Sequence, residues 1–105
     1  MKALRLLAAV LEDTAKAARR YDEKGYVGLG DRFLAVFYSS LPHVQKDGEI
    51  YRLVYKDFRR ILINPFPYAV YYRYHEDLVV ISLVIDGARS PRLVRRLLRE
   101  RRSEP

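Results

Sequence analysis

Apolar residues recur at helical intervals in the first half of the chain and fall into short dense runs in the second. Between Ala9 and about Lys24, Leu11, Ala15, Ala18 and Tyr21 follow one another at three- and four-residue steps, a spacing that places side chains on one face of a helix. Glu12 precedes Lys16 by four residues, as on a solvated helical face. The stretch Gly25-Tyr-Val-Gly-Leu-Gly30 breaks the pattern. Asp31 then stands at a capping position, followed by a second stripe of Phe33, Leu34, Phe37, Tyr38 and Leu41. Pro42 predicts the end of this helix near Leu41, because it lacks the N–H for the next backbone bond, and Gln45-Lys-Asp-Gly48 reads as a turn. Two short helices joined by a tight linker predict an antiparallel hairpin. The opening Lys2–Leu7 alternates loosely and fits a short strand or an early helical turn.

The remaining runs are β-branched and aromatic: Phe58–Ile63, Tyr68–Tyr74 and Leu78–Ile85. Asn64-Pro-Phe-Pro67 confines the first connection to a loop, and only His75-Glu-Asp77 separates the last two runs. A connection that short makes them antiparallel, since a parallel return needs about a dozen residues. Strict alternation sends Val79, Ile81, Leu83 and Ile85 beneath the helices and Val80, Ser82, Val84 and Asp86 to the other face. After Ser90-Pro91, Leu93, Val94, Leu97 and Leu98 lie at helical spacing among arginines. This segment reads as a basic terminal helix or a tail that orders on a partner.

Composition narrows the function classes. The chain has 105 residues, half of them hydrophobic, which suits one domain with one modest core. It has no cysteine, which excludes disulfides, thiolate metal ligands and cysteine nucleophiles and fits a reducing, cytoplasmic setting. Twenty Lys and Arg face thirteen Asp and Glu for a net charge of +7, so an anionic partner is expected, either nucleic acid or an acidic protein. No apolar run approaches the ~20 residues of a membrane span, and Ala3–Val10 carries Arg5 without the cleavage site of a signal peptide. The expectation is therefore no membrane association.

Candidate chemistry is sparse. His43 and His75 are the two histidines and neither has ligand-like neighbours, so no metal and no cofactor are expected. Gly25-x-x-Gly28-x-Gly30 follows a helix rather than a strand, and a linker accounts for it better than a phosphate loop. Tyr68, Tyr71, Tyr72 and Tyr74 surround Arg73, an arrangement capable of stacking bases. Alternation divides them, however, with Tyr68, Tyr72 and Tyr74 on one face and Tyr71 with Arg73 on the other, which favours packing. Arg59, Arg60, Arg73 and Arg89 fall on or just after neighbouring strands; they form either an anion-gripping cluster or scattered solubilising charge. Arg92, Arg95 and Arg96 on the terminal segment are open to the same two readings.

Two stretches resemble the RelE/ParE toxins of bacterial toxin–antitoxin pairs. Leu11–Tyr21 followed by Gly28-Leu-Gly-Asp-Arg-Phe-Leu34 is similar to that family's helical hairpin and its linkage. Phe58-Arg-Arg-Ile-Leu-Ile-Asn-Pro-Phe-Pro-Tyr-Ala-Val-Tyr-Tyr-Arg73, continuing through Leu78–Ile85 to Gly87-Ala-Arg-Ser-Pro91, resembles its strand region in order and spacing. The resemblance implies an α+β fold of order β-α-α-β-β-β, with residues 1–91 as one domain and 92–105 as a basic helix or tail. It implies a cognate acidic antitoxin and one of two modes of toxicity, with a homo-oligomer left open. ParE-like members bind DNA gyrase without a recognised catalytic centre. RelE-like members cut mRNA on the ribosome, for which Arg59, Arg73 and Arg89 would hold the scissile phosphate. Three departures turn the reading toward ParE and away from an enzyme: no tyrosine or histidine follows Gly87, Asp86 stands where relatives carry histidine, and Ala88 replaces one arginine of the customary pair. A third reading is an inactive member kept as a partner-binding module.

Overall fold

The computed structural model describes all 105 residues. In chain order the elements are β1 (Ala3–Leu6), α1 (Ala8–Lys24), α2 (Leu29–Asp47), a single 3-10 turn (Gly48–Ile50), β2 (Leu53–Tyr55), β3 (Phe58–Leu62), β4 (Tyr68–His75), β5 (Leu78–Asp86) and α3 (Pro91–Arg101). The five strands form one sheet in the order β1-β5-β4-β3-β2. β1 pairs parallel to β5 and every other pair is antiparallel. The chain thus enters at one edge and re-enters at the other, carrying the α1–α2 hairpin across one face. This is the expected α+β architecture. No helix is long and apolar enough to cross a membrane.

Several local expectations are corrected. The buried residues of α1 are Val10, Thr14, Ala17 and Ala18; of the predicted stripe Ala18 is buried and Tyr21 packs against the core, whereas Leu11 is half exposed. The Thr14 hydroxyl returns its proton to the Val10 carbonyl at 3.1 Å, so its burial leaves no unmet donor. The N-cap of α2 is Gly28 rather than Asp31, with a left-handed φ of 99° that glycine adopts without steric cost. Asp22 of α1 supplies the capping carboxylate, accepting from Gly30 N at 2.8 Å and Gly28 N at 3.2 Å, where it also meets the positive end of α2.

Pro42 does not stop α2, which runs on to Asp47. The proline is exposed while Leu41 and Val44 on either side of it are buried. Its lost hydrogen bond therefore faces solvent, and core packing holds the helix together against propensity.

The sheet is covered on both faces. Eighteen buried residues, among them Phe33, Phe37, Leu41, Ile61, Val70, Tyr72, Val79 and Ile81, fill the layer under the hairpin. Phe58, Ala69, Tyr71, Leu83, Val94 and Leu98 make a second, smaller layer under α3. Two-sided burial explains why β4 hides every residue from Tyr68 to Tyr72 and why β5 reads as a nearly unbroken apolar run.

The predicted alternation along β5 fails at Ser82. Tyr71 faces Leu83 but Tyr72 faces Ile81, so Ser82 is an extra, unpaired residue and the parity of the strand inverts there. Val79 and Ile81 face the hairpin as predicted, whereas Leu83 and Ile85 lie beneath α3.

The terminal segment is a docked helix. Ser90 caps it, its Oγ accepting from Leu93 N at 3.2 Å, and Pro91 opens the first turn. Two bidentate ion pairs anchor its end. Arg101 grips Asp13 of α1, with Nη2 to Oδ1 at 2.8 Å, and Arg102 grips Asp57 in the β2–β3 turn at 2.6 and 3.0 Å.

Candidate binding surface

Register decides which arginines meet. Neighbouring strand residues point to opposite faces, so Arg59, opposite Tyr72, turns toward the hairpin, and Arg60, opposite Tyr71, turns toward α3. The Arg59 guanidinium donates to the carbonyls of Glu49 and Tyr51 and so ties down the segment after the 3-10 turn. Arg60 stays on the α3 face with Nη1 3.4 Å from the Tyr71 hydroxyl. Arg73, opposite Phe58, shares that face but lies beneath the end of α3. Its Nη2 donates to the Arg102 carbonyl at 3.5 Å, and its Nε is buried without a partner.

Arg89 follows β5 in the loop that leads into α3, and Arg92, Arg95 and Arg96 project from the exposed side of that helix. A cavity of about 350 Å³ opens between the sheet and the first turns of α3, and Arg60, Arg89 and Arg95 converge on it. Tyr55, Tyr71, Val54, Pro91 and Val94 line the rest, and no acidic residue does. Arg92, Arg96 and Arg99 line a second hollow of about 300 Å³ on the other flank of the helix, again without a carboxylate. A third, of about 310 Å³ between α1, β5 and α3, is mixed in charge, with Lys16, Arg20 and Arg89 against Asp13 and Asp86.

The structure therefore gathers Arg60, Arg89 and Arg95, sets Arg92 and Arg96 beside them, and sends Arg59 and Arg73 elsewhere. Planar guanidinium forks without a carboxylate partner are the natural donors for an incoming oxyanion. The tyrosines serve packing first: Tyr68, Tyr72 and Tyr74 join the hairpin layer and Tyr71 the layer under α3. Burial raises the pKa of Tyr72, whose hydroxyl donates to the Gly48 carbonyl at 2.8 Å.

Tyr55 is the site residue that sequence reasoning missed, since β2 itself escaped notice. Its hydroxyl accepts from Arg99 at 3.4 Å, and that hydrogen bond is the main cause lowering its pKa. The two histidines lie apart from the cavity. His43 on α2 contacts the Tyr51 hydroxyl at 2.8 Å, and His75 ends β4, exposed.

A helical hairpin laid over a five-stranded mixed sheet matches a ParE-like fold. Among the solved structures it resembles is a chain of the chromosomal ParDE toxin–antitoxin system from P. aeruginosa. The two superpose with a TM-score of 0.74 over 82% of this chain and 96% of that one, at 10% sequence identity. At that identity the likeness is one of backbone and layer order. No family model matches the chain, and no curated protein matches it.

Proposed function

We propose that this chain is the ParE-like toxin of a toxin–antitoxin pair, acting in the cytoplasm by binding a protein target such as DNA gyrase and silenced by a cognate acidic antitoxin. The fold correspondence with the ParDE chain, nearly complete over the length of that chain, carries the reading. The electrostatics agree with it. Arg60, Arg89, Arg92, Arg95 and Arg96 border hollows without a carboxylate, and a cationic surface of this kind steers an acidic partner toward it and fixes its register. Residues 1–91 supply the scaffold in this reading, and the helix within 92–105 supplies much of the basic face.

Binding is favoured over RNA cleavage by the placement of the arginines. Arg59 and Arg73 occupy opposite faces of the sheet, so they do not share with Arg89 a hollow in which one phosphate could be held. The test uses purified protein in two assays, inhibition of gyrase supercoiling and cleavage of translated messages. Supercoiling is expected to fall and messages to stay intact, with Arg89→Ala weakening the inhibition while the fold is kept. Cut messages beside unaffected gyrase would replace this reading with the ribonuclease one.

A further inference from the structure

We infer that the cavity between the sheet and the N-terminal turns of α3 binds an aromatic phosphomonoester of the size of a nucleoside monophosphate, with Arg60, Arg89 and Arg95 taking the phosphoryl oxygens. Of the other arginines around the sheet, Arg59 is matched by two backbone carbonyls, Arg101 by Asp13 and Arg102 by Asp57, while Arg73 lies beneath the end of α3, away from this cavity, with its Nη2 on the Arg102 carbonyl and its Nε unpartnered. Arg60, Arg89 and Arg95 form no ion pair, and no carboxylate lines the space they share. Three like charges gathered on one cavity repel one another, and a dianion relieves that repulsion while engaging more than one guanidinium fork. A single carboxylate brings one negative charge against their three positive ones.

The remaining lining defines the body of the ligand. Tyr71 is 5% exposed and sits opposite Arg60 across the β3–β4 ladder, while Tyr55, Val54, Pro91 and Val94 complete a wall that is aromatic and apolar. Such a wall suits a flat ring attached to the phosphate. A volume of about 350 Å³ lies in the range of small-molecule sites, roughly 300 to 1,000 Å³, and is too small for a duplex or a helix. The inference does not depend on toxicity, and it is tested without an antitoxin or a target.

The full-length protein is titrated calorimetrically at physiological ionic strength with AMP, inorganic phosphate and adenosine in separate arms. AMP is expected to bind more tightly than either part. Arg89→Ala and Arg95→Ala are each expected to weaken AMP by about tenfold, the scale of a lost charge-assisted hydrogen bond. Arg60→Lys keeps the charge without the fork and is expected to lose affinity as well. Arg19→Ala, on the exposed side of α1, is expected to change nothing. Arg89 and Arg95 are exposed, so their variants remain informative should changes at Arg60 disturb folding. The inference is overturned if AMP binds no better than inorganic phosphate, if Arg19→Ala weakens AMP as much as Arg89→Ala does, or if a short oligonucleotide binds that AMP fails to displace.

Discussion

Replacing Asp13 by alanine is the sharpest probe of how α3 is held to the molecule. The Asp13 and Arg101 side chains are each 14% exposed. The carboxylate takes both guanidinium nitrogens and accepts from Val84 N at 3.0 Å, and Arg101 Nη1 also donates to the Ser82 carbonyl at 3.1 Å. Asp13 and Arg101 together thus cap the part of β5 that β1 is too short to reach, since β1 pairing ends at Leu6 and Ile81. Removing the carboxylate strands a mostly buried cation and leaves a backbone donor without its acceptor. Loss of one partner from a buried pair costs roughly 3–5 kcal/mol. The residual exposure of Arg101 places this case near the lower end, about 3 kcal/mol including the orphaned N–H.

In a domain of this size that corresponds to a fall in Tm of more than about 10 °C. Urea denaturation followed by circular dichroism measures it. Asp13→Asn keeps an acceptor for Val84 and should lose less. Asp13→Ala combined with Arg101→Met removes the stranded charge and should recover part of the loss. A cost for Asp13→Ala below about 1 kcal/mol, or a double variant no more stable than the single one, would refute the reasoning.

Three further outcomes are expected. Its hydrogen bonds from Arg102 hold Asp57 below the usual carboxylate range, with burial opposing them. A lowered folded-state pKa stabilises above the unfolded value of about 4 and is lost as pH falls through the folded one. Wild type should therefore exceed Asp57→Asn in Tm at neutral pH, by a modest margin because the pair is nearly half exposed, and the gap should close in acid. A gap that persists at the lowest pH contradicts the assignment. Tyr72→Phe removes a buried hydroxyl and leaves the Gly48 carbonyl only its longer bond from Tyr51 N, a loss of about 1 kcal/mol readable by equilibrium denaturation; an unchanged midpoint would speak against the Tyr72 bond. Gly30→Ala would place a methyl 2.3 Å from the Ala18 carbonyl oxygen. The helices must then separate at a cost of about 1–3 kcal/mol, and an unperturbed thermal melt would mean that they do not cross there.

Element order was legible because the hydrophobic period changes from helical spacing to dense β runs, and because the three-residue link His75-Glu-Asp77 left β4 and β5 only an antiparallel pairing. What stayed hidden has separate physical causes. β2 is three residues long, and Leu53 and Val54 are exposed, so no burial pattern marks it. The stop expected at Pro42 was a propensity argument that packing at Leu41 and Val44 overrode. The extra residue at Ser82 is defined by pairing with β4, and nothing local to β5 announces it. The clamps on α3 join residues 88 and 45 positions apart. At the candidate surface, arginines could be named but not grouped: Arg59 and Arg60 are adjacent in sequence and serve opposite faces, while Tyr55 enters through the strand that was not seen.

The most direct test of the central claim is bacterial growth after induction of this chain, alone and together with an acidic antitoxin that binds it. The account predicts arrest when the chain is expressed alone and recovery when the acidic partner is co-expressed. Undiminished growth in cells that accumulate folded protein would contradict it.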